Sequence, residues 1–434
     1  MTQDTHGNLW RDVRRDMLKN PAALVGIITL LLIAVFCLSG RWWWRVDPNA
    51  LDLTQISQAP HSGLLTTVIT KNSLEKKSPD AIQQFQALLP ANTEAVTLGW
   101  PTQQHRHFRL YRHILPPSDA QDLGLPLADF AANSQETVLQ YQDALLLENR
   151  RYFYSLAVID DSGNISSYQT ISVDVAHATP IENLIQEGLL PSTANAPATL
   201  QLPAHPFGTD KLGRDLMARL IEGGRTSLFI GFTAPLLYVL FGALYGAMAG
   251  YRGGRTDTFM MAFADFMIAL PFLLFVILLR IAFGIGPGDN GITALIVALL
   301  LLSWPNTARL VRAQVLQLRK MAYVDAARLQ GASGFYIVCK HMLPNVLPSI
   351  LVTLSFAIPS AIFTEAFLSF IGLGVTPPAT SWGAMCNDGL STLLTHPHEL
   401  LFPAFFISIT VLAFNLVGDA LRDALDVQVR ESRT

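Results

Sequence analysis

Apolar residues in this chain gather into long unbroken runs. Six stretches stay apolar for about 18 residues or more, the length of helix that covers the hydrocarbon core of a bilayer. They are 22–39, 226–251, 258–279, 291–308, 346–374 and 400–418; the third carries only Asp265, the fifth only Glu365, and the others no charge. The pattern predicts six membrane helices. The interval 40–225 reads differently, because "AVTLGW" (95–100), "FRLYR" (108–112), "RYFYSLAVID" (151–160) and "TISVDV" (170–175) alternate with period two. That period belongs to strands. It puts Tyr152, Tyr154, Leu156 and Val158 on one face, and Ile171, Val173 and Val175 on another, with "DSGN" (161–164) as the turn between.

Charges beside the apolar runs set the expected orientation, since Lys and Arg collect in cytoplasmic loops. Arg11, Arg14, Arg15 and Lys19 precede the first run; Arg252 and Arg255 lie between the second and third; Arg309, Arg312, Arg319, Lys320, Arg328 and Lys340 lie between the fourth and fifth; Arg422, Arg430 and Arg433 follow the last. The alternate connections, 283–290 and 375–399, hold no Lys or Arg. Both termini are therefore expected in the cytoplasm and the 40–225 interval outside. Arg280, the basic residue out of place, can snorkel to the interface. The first run follows basic residues as a signal peptide would, but it is long and lacks a small-residue cleavage site, so it reads as a retained anchor. Trp42, Trp43 and Trp44, flanked by Arg41 and Arg45, read as an interfacial belt.

Composition narrows the function. Hydrophobic residues make up 50% of the chain and charged residues only 15%, with a net charge of -3. That argues against a nucleic-acid partner, which calls for a basic stripe. Cys37, Cys339 and Cys386 are far apart and read as unpaired thiols. There is no phosphate-binding Gly-x-x-x-x-Gly-Lys-Ser/Thr loop, no nucleophile–base arrangement, and hence no catalytic residue, cofactor or metal site to name. "HPHE" (396–399) has metal-like composition but reads better as capping and surface residues; His205 and His341 read as hydrogen-bonded interface residues. Gly242, Gly246 and Gly250 give the small-xxx-small spacing of closely packed membrane helices.

The segment between the fourth and fifth runs, "YVDAARLQGASGFYIVCKHMLPN" (323–345), is too polar to cross a bilayer and too regular for a slack loop. Asp325 suits the first turn of a short helix and has Arg328 three residues on; Gly331 suits the left-handed residue that ends it, and Ser333 can cap the next helix. Ala326 and Ala327 would let another protein approach the backbone closely. A rigid peg of this kind, tied to two membrane helices, can pass on the motion of a cytoplasmic partner.

These residues resemble the signature of membrane subunits of binding-protein-dependent ABC importers: Glu-Ala-Ala, three residues, Gly, nine residues, Ile-x-Leu-Pro. Here Asp325-Ala326-Ala327 and Gly331 are followed, after nine residues, by His341-Met342-Leu343-Pro344 and then Asn345. Aspartate replaces glutamate and histidine replaces isoleucine. The stretches 205–228, 303–319, 363–385 and 402–426 resemble the second permease of dipeptide and oligopeptide importers. The 80–176 region resembles a fibronectin type III sandwich, through its tryptophan strand, tyrosine-rich strand, acidic Gly-Asn turn and last strand. Usual family members join their first two spans by a much shorter segment.

The resemblance implies a type I ABC importer permease fold: an α-helical polytopic protein with an inserted all-β sandwich. Residues 1–45 would be the cytoplasmic N-terminus and first span, 46–204 the extracytoplasmic insert, and 205–434 the permease core with a coupling helix at about 322–331. Asp325, Ala326, Ala327, Arg328 and Gly331 would couple to an ATPase, with His341, Leu343, Pro344 and Asn345 supporting that loop. Asp265 and Glu365 would pair helices or line the path; the family tends to have an arginine ahead of Asp265 where this chain has Ala262. Implied partners are a second homologous permease, two ATP-binding subunits, an extracytoplasmic solute-binding protein and membrane lipid, in a bacterial inner membrane. Cargoes across the family include dipeptides, longer peptides, antimicrobial peptides and nickel complexes. A membrane-anchored receptor or adhesion protein acting through the sandwich is the rival reading, although an anchor needs only one span.

Overall fold

The structure, a computed structural model, describes residues 4–70, 82–102, 107–131, 138–145, 147–160, 163–186, 188–191, 197–284 and 291–431. It divides into two compact units, one of Met1–Leu51, Gln55–Pro60 and His205–Thr434, the other of Asp52–Thr54 and His61–Ala204.

Helices build the first unit. The chain enters through α1 (Asp4–Lys19) and turns at Asn20, whose side chain accepts from the Ala22 and Ala23 N–H groups; Pro21 then opens α2 (Pro21–Trp43). Pro at the first helical position sacrifices only a donor that the helix would not use. The 37-residue α3 (Leu216–Arg252) is about 55 Å long. Its glycines bring it against α6 (Ile292–Leu318): a Cβ at Gly242 would sit 2.5 Å from the Trp304 carbonyl oxygen, and one at Gly246 would strike the Ala308 carbonyl. This is the close approach that the glycine spacing predicts.

The third apolar run departs from expectation. In place of one straight span it forms α4 (Gly254–Ala269) and α5 (Phe272–Ala282), bent by 86° at the break. Proline is the cause: Pro271 has no N–H to donate, and its ring pushes Leu270 to extended backbone, at φ −69° and ψ 128°. Helix α6 also runs past the end of its apolar stretch, so Arg309 and Arg312 stand on the helix and not in a connection. The 285–290 part of the next connection lies outside the described residues. After α7 (Ala322–Leu329) and α8 (Gly334–Ile337), a π-turn at Val338–Met342 leads into α9 (Leu343–Phe370); α10 (Trp382–Leu390) and α11 (His398–Glu431) complete the unit. Among the described residues, five helices are long and apolar enough to cross a membrane, six if the bent pair counts as one span.

Strands build the second unit. Strands β1 (Leu64–Ile69), β9 (Ala178–Pro180) and β10 (Thr199–Leu202) form one small sheet in the order β10-β1-β9. Between them lie β2 (Gln86–Ala87), β3 (Val96–Pro101) and β6 (Val138–Asp143) in one sheet, and β5 (Ala128–Ala131), β4 (His107–His113), β7 (Arg151–Ile159) and β8 (Ile165–Asp174) in another. Val96, Leu98 and Trp100 of the first meet Phe108, Leu110, Tyr152, Tyr154, Leu156 and Val173 of the second in a single core. That is a sandwich: Tyr152, Tyr154, Leu156, Val173 and Val175 lie in its core, and Val158 and Ile171 pack half-buried against it. The Tyr154 hydroxyl donates to Asp143 at 2.7 Å, and Asp143 also accepts from Arg112 at 2.8 Å. Residues 161 and 162 of the expected turn lie outside the described residues.

Candidate coupling site and intramembrane polar residues

Helix α7 has only eight residues, so packing and not length holds it. Val324, 0% exposed, and Ala327 drop into a cluster with Ala243 and Ala247 of α3, Val311 and Val315 of α6, and Ile337, Val338, Met342 and Val346. Tyr323, Asp325, Ala326 and Leu329 face outward, Leu329 being 89% exposed. Of the two alanines expected on the open face, only Ala326 is there. Ala327 lies three residues after Val324, and that spacing turns it to the same, inward side.

The end of α7 follows from Gly331, at φ +82°. Its N–H reaches the Arg328 carbonyl at 2.9 Å and the Ala332 N–H reaches Ala327 at 3.1 Å, the paired bonds of a Schellman closure. Ser333 then accepts from the Tyr336 N–H at 3.3 Å to start α8. Arg328 meets Asp325 at 3.2 Å and lies 5.1 Å over the ring of Tyr251, in the last turn of α3. A Cβ on Gly334 would come within 2.6 Å of the same ring, so the second glycine is what lets Tyr251 in.

Behind the knob, Pro344 removes a donor and the chain takes the five-residue turn, with the Leu343 N–H reaching back to Val338. Leu343 packs against the apolar cluster, and Asn345 donates to the His341 carbonyl at 2.5 Å. The His341 ring stands 5.8 Å from Tyr336 and 6.3 Å from Tyr323. Neither tyrosine stood out in the sequence.

The two intramembrane acids sit in opposite surroundings. Glu365 is 0% exposed and accepts from Ser227 and Ser369, each at 2.8 Å. Those hydroxyls in turn accept from the Trp382 and Val375 N–H groups, at 3.3 and 3.0 Å, so one carboxyl joins α3, α9 and the start of α10. Asp265 instead pairs with Arg309 of α6, and both side chains are half open, at 59% and 50% exposure. A second acid of α4, Asp257, is buried and takes Arg312 in a two-pronged bond, both distances 2.6 Å.

A polar cluster closes the other end of α3. Asp210 accepts from Arg214 at 2.7 Å and Arg219 at 2.6 Å, and Asp388 accepts from the same two arginines at 3.1 and 2.9 Å. Asp215 caps α3 through the Ala218 N–H at 2.6 Å, accepts from the Trp44 indole at 2.9 Å and meets His205 at 2.5 Å. His205 is thus a buried, hydrogen-bonded residue. In "HPHE", Glu399 accepts from Thr392 at 2.9 Å, and no group of three or more His, Cys, Asp or Glu among the described residues is placed to hold a metal. Most of this cluster lies within 205–219, where the spacings Asp210–Arg214 and Asp215–Ala218 are local signals; only Trp44 and Asp388 come from distant parts of the chain.

Residues 242–431 match the binding-protein-dependent transport system inner membrane component, and residues 8–60 match the N-terminal transmembrane domain of oligopeptide transport permease C. The chain is 49% identical to the Bacillus subtilis oligopeptide permease protein OppC, over 52% of this chain and 73% of that protein. It is 46% identical to the dipeptide permease protein DppC of the same organism, over 58% and 75%. This chain belongs to the permease family of binding-protein-dependent importers. It is 45% identical to the Escherichia coli OppC protein over 52% and 73%. A solved inward-facing methionine ABC transporter, MetNI, is similar at 19% identity and a TM-score of 0.40, covering 48% of this chain and 97% of that one. As a permease the chain is a membrane-embedded transport subunit and not an enzyme; the family works with ATPase and solute-binding partners.

Proposed function

We propose that this permease forms half of the translocation path of an ATP-driven peptide importer, with α7 as its coupling helix. The seating of Val324 and Ala327 among residues of α3, α6 and the start of α9 carries the proposal. Burying a valine contributes about 1.5–3 kcal/mol, enough to keep a two-turn helix from sliding on its support. A push on α7 therefore moves three helices. Its exposed Tyr323 and Leu329, with Phe335 and Tyr336 beyond, supply the aromatic and apolar contacts that dominate protein interfaces. His341, Leu343, Pro344 and Asn345 stiffen the turn behind it.

In this reading two ATPase subunits grip the coupling helices of this chain and of a second, homologous permease. Closing the ATPases draws the two helices together and switches the path between inward- and outward-facing states. The Lys and Arg distribution supports cytoplasmic termini and a cytoplasmic α7 in a bacterial inner membrane. Peptides are the cargo class that the oligopeptide and dipeptide relatives suggest. The insert reads as fibronectin type III-like, supported by the strand orders β2-β3-β6 and β5-β4-β7-β8. The Tyr152 hydroxyl, accepting from the Glu148 N–H at 3.0 Å just before β7, adds a tyrosine corner. No observation favours a receptor or adhesion role over transport.

The test replaces 325–331 by a Gly/Ser linker in the assembled complex. Loss of labelled-peptide uptake and of cargo-stimulated ATP hydrolysis, with assembly intact, is the expected result; retention of both would refute the coupling role.

A further inference from the structure

We infer that the Asp265–Arg309 pair faces the aqueous translocation path and exchanges its internal bond for the two charged ends of a free peptide. The inference rests on the peptide reading above and adds to it a named recognition point.

Depth comes first. Asp265 lies within the apolar run 258–279, about 10 Å from its start, and Arg309 directly follows the apolar run 291–308, so the pair sits in the expected cytoplasmic half of a core about 30 Å thick. Charges at that depth do not face lipid. The lipid-facing pattern is visible on α2, whose open side is Val25, Ile28, Leu31, Leu32, Val35 and Leu38. From 302 to its end, the open side of α6 is instead Asn306, Arg309, Leu310, Ala313 and Gln317, at three- and four-residue spacing. On α9, Asn345, Ser349, Thr353 and Ser360 make a second polar row, and Gln314 of α6 donates to Ser349 at 2.7 Å, joining the two rows. A polar surface that continues from the expected cytoplasmic end into the apolar run 346–374, through Ser349, Thr353 and Ser360, fits water and passing cargo. Tightly packed membrane interfaces use small residues instead.

The second argument is redundancy. Buried Asp257 and half-buried Arg312, in a two-pronged bond, already fasten α4 to α6. The open pair is not needed for that. It presents one carboxylate and one guanidinium side by side, and a free peptide carries one ammonium and one carboxylate. Swapping the internal bond for two bonds to the peptide leaves no charge uncompensated before, during or after passage. In the empty path the pair neutralises itself.

The complete complex, reconstituted in vesicles with its own binding protein, gives the test. Uptake of a neutral tripeptide is compared with that of its N-acetylated and C-amidated forms. Wild type is expected to prefer the free form over both. Asp265→Asn should lower the free-to-acetylated ratio at least fivefold and leave the free-to-amidated ratio unchanged. Arg309→Gln should do the reverse, and the exchange Asp265→Arg with Arg309→Asp should restore both preferences. Because the binding protein is the same throughout, a changed ratio belongs to the permease. Equal loss for all three peptides in every variant, or no wild-type preference, would overturn the inference. A cysteine at Asn306 in a Cys339→Ser background reports location separately: a charged thiol reagent should modify it in at least one nucleotide state. No reaction in any state means that a partner or lipid covers the face, and the inference fails even if peptide transport stands. A wild-type complex that moves no peptide would instead sink the peptide reading, while the Asn306 label would still report where the face lies.

Discussion

The two ends of α3 are held by opposite means. At its last turn Tyr251 meets a knob fixed by apolar packing, with Val324 and Ala327 buried and only one surface ion pair, Asp325–Arg328. At its first turn buried Asp210, Arg214 and Arg219, with half-buried Asp388, do the fastening, beside the Asp215 cap. Apolar packing is non-directional and forgiving of small shifts. A buried ion cluster has one good geometry and loses heavily when a member goes. In the proposed coupling role, the end that moves with a partner is thus built from the forgiving material, and the other end from the exacting one.

The sharpest break is Val324→Asp, which puts a charge into the knob's seat. It should cost about 3–5 kcal/mol locally and reduce uptake per assembled complex more than tenfold. Arg219→Met should cost a similar amount by leaving Asp210 and Asp388 to share Arg214, but it should appear as a lower melting temperature and yield. Uptake per folded complex should stay near wild type. If both variants lose coupling alike, the distinction between the ends fails. Asp215→Ala should lose about 1–2 kcal/mol as a cap is removed, and Asp215→Asn should recover most of it. Gly331→Ala meets no atom within 4 Å, so its cost is that of a left-handed backbone alone, about 1 kcal/mol, read as a modest fall in uptake.

The smallest effect extends the comparison to the insert. His177, in the buried Thr66–Thr179 contact of the β10-β1-β9 sheet, has its pKa lowered, mainly by burial. A base held neutral in the folded state leaves the unfolded chain binding more protons at low pH. Stability contributed there is present above the ordinary histidine range, near pH 6.5, and declines as pH falls below it. The opening free energy read from amide exchange at 64–69, after correction for the intrinsic pH dependence of exchange, should fall between pH 7.5 and 5.5, and the change should shrink in His177→Gln. The apolar knob should show no such dependence.

Much of the knob was legible because its signals are local: Asp325 with Arg328, Gly331, Ser333 and Pro344 all act within a turn or two. The strand faces of 151–160 and 170–175 were legible for the same reason. Ala327 was misread because small size does not say which way a residue points; only its spacing from Val324 does. The bend at Pro271 was hidden by an apolar run that continues through it, although the proline itself was in view. Nothing local links Asp257 with Arg312, Asp265 with Arg309, or Arg219 with Asp388. Such pairs bridge dozens to well over a hundred positions, and complementary charge alone offers many partners. The openness of Asp265 beside the enclosure of Glu365 was equally out of reach, since both read as lone acids in apolar runs.

Strands β1 and β10 run antiparallel, with Leu64 opposite Leu202, so the chain leaves the insert beside the place where it came in. A loop with neighbouring endpoints is a detachable cassette: cut at its neck and rejoined by a tight turn, it asks no rerouting of what flanks it. Such a neck lets a lineage acquire, exchange or discard the module while the rest of the permease keeps its course.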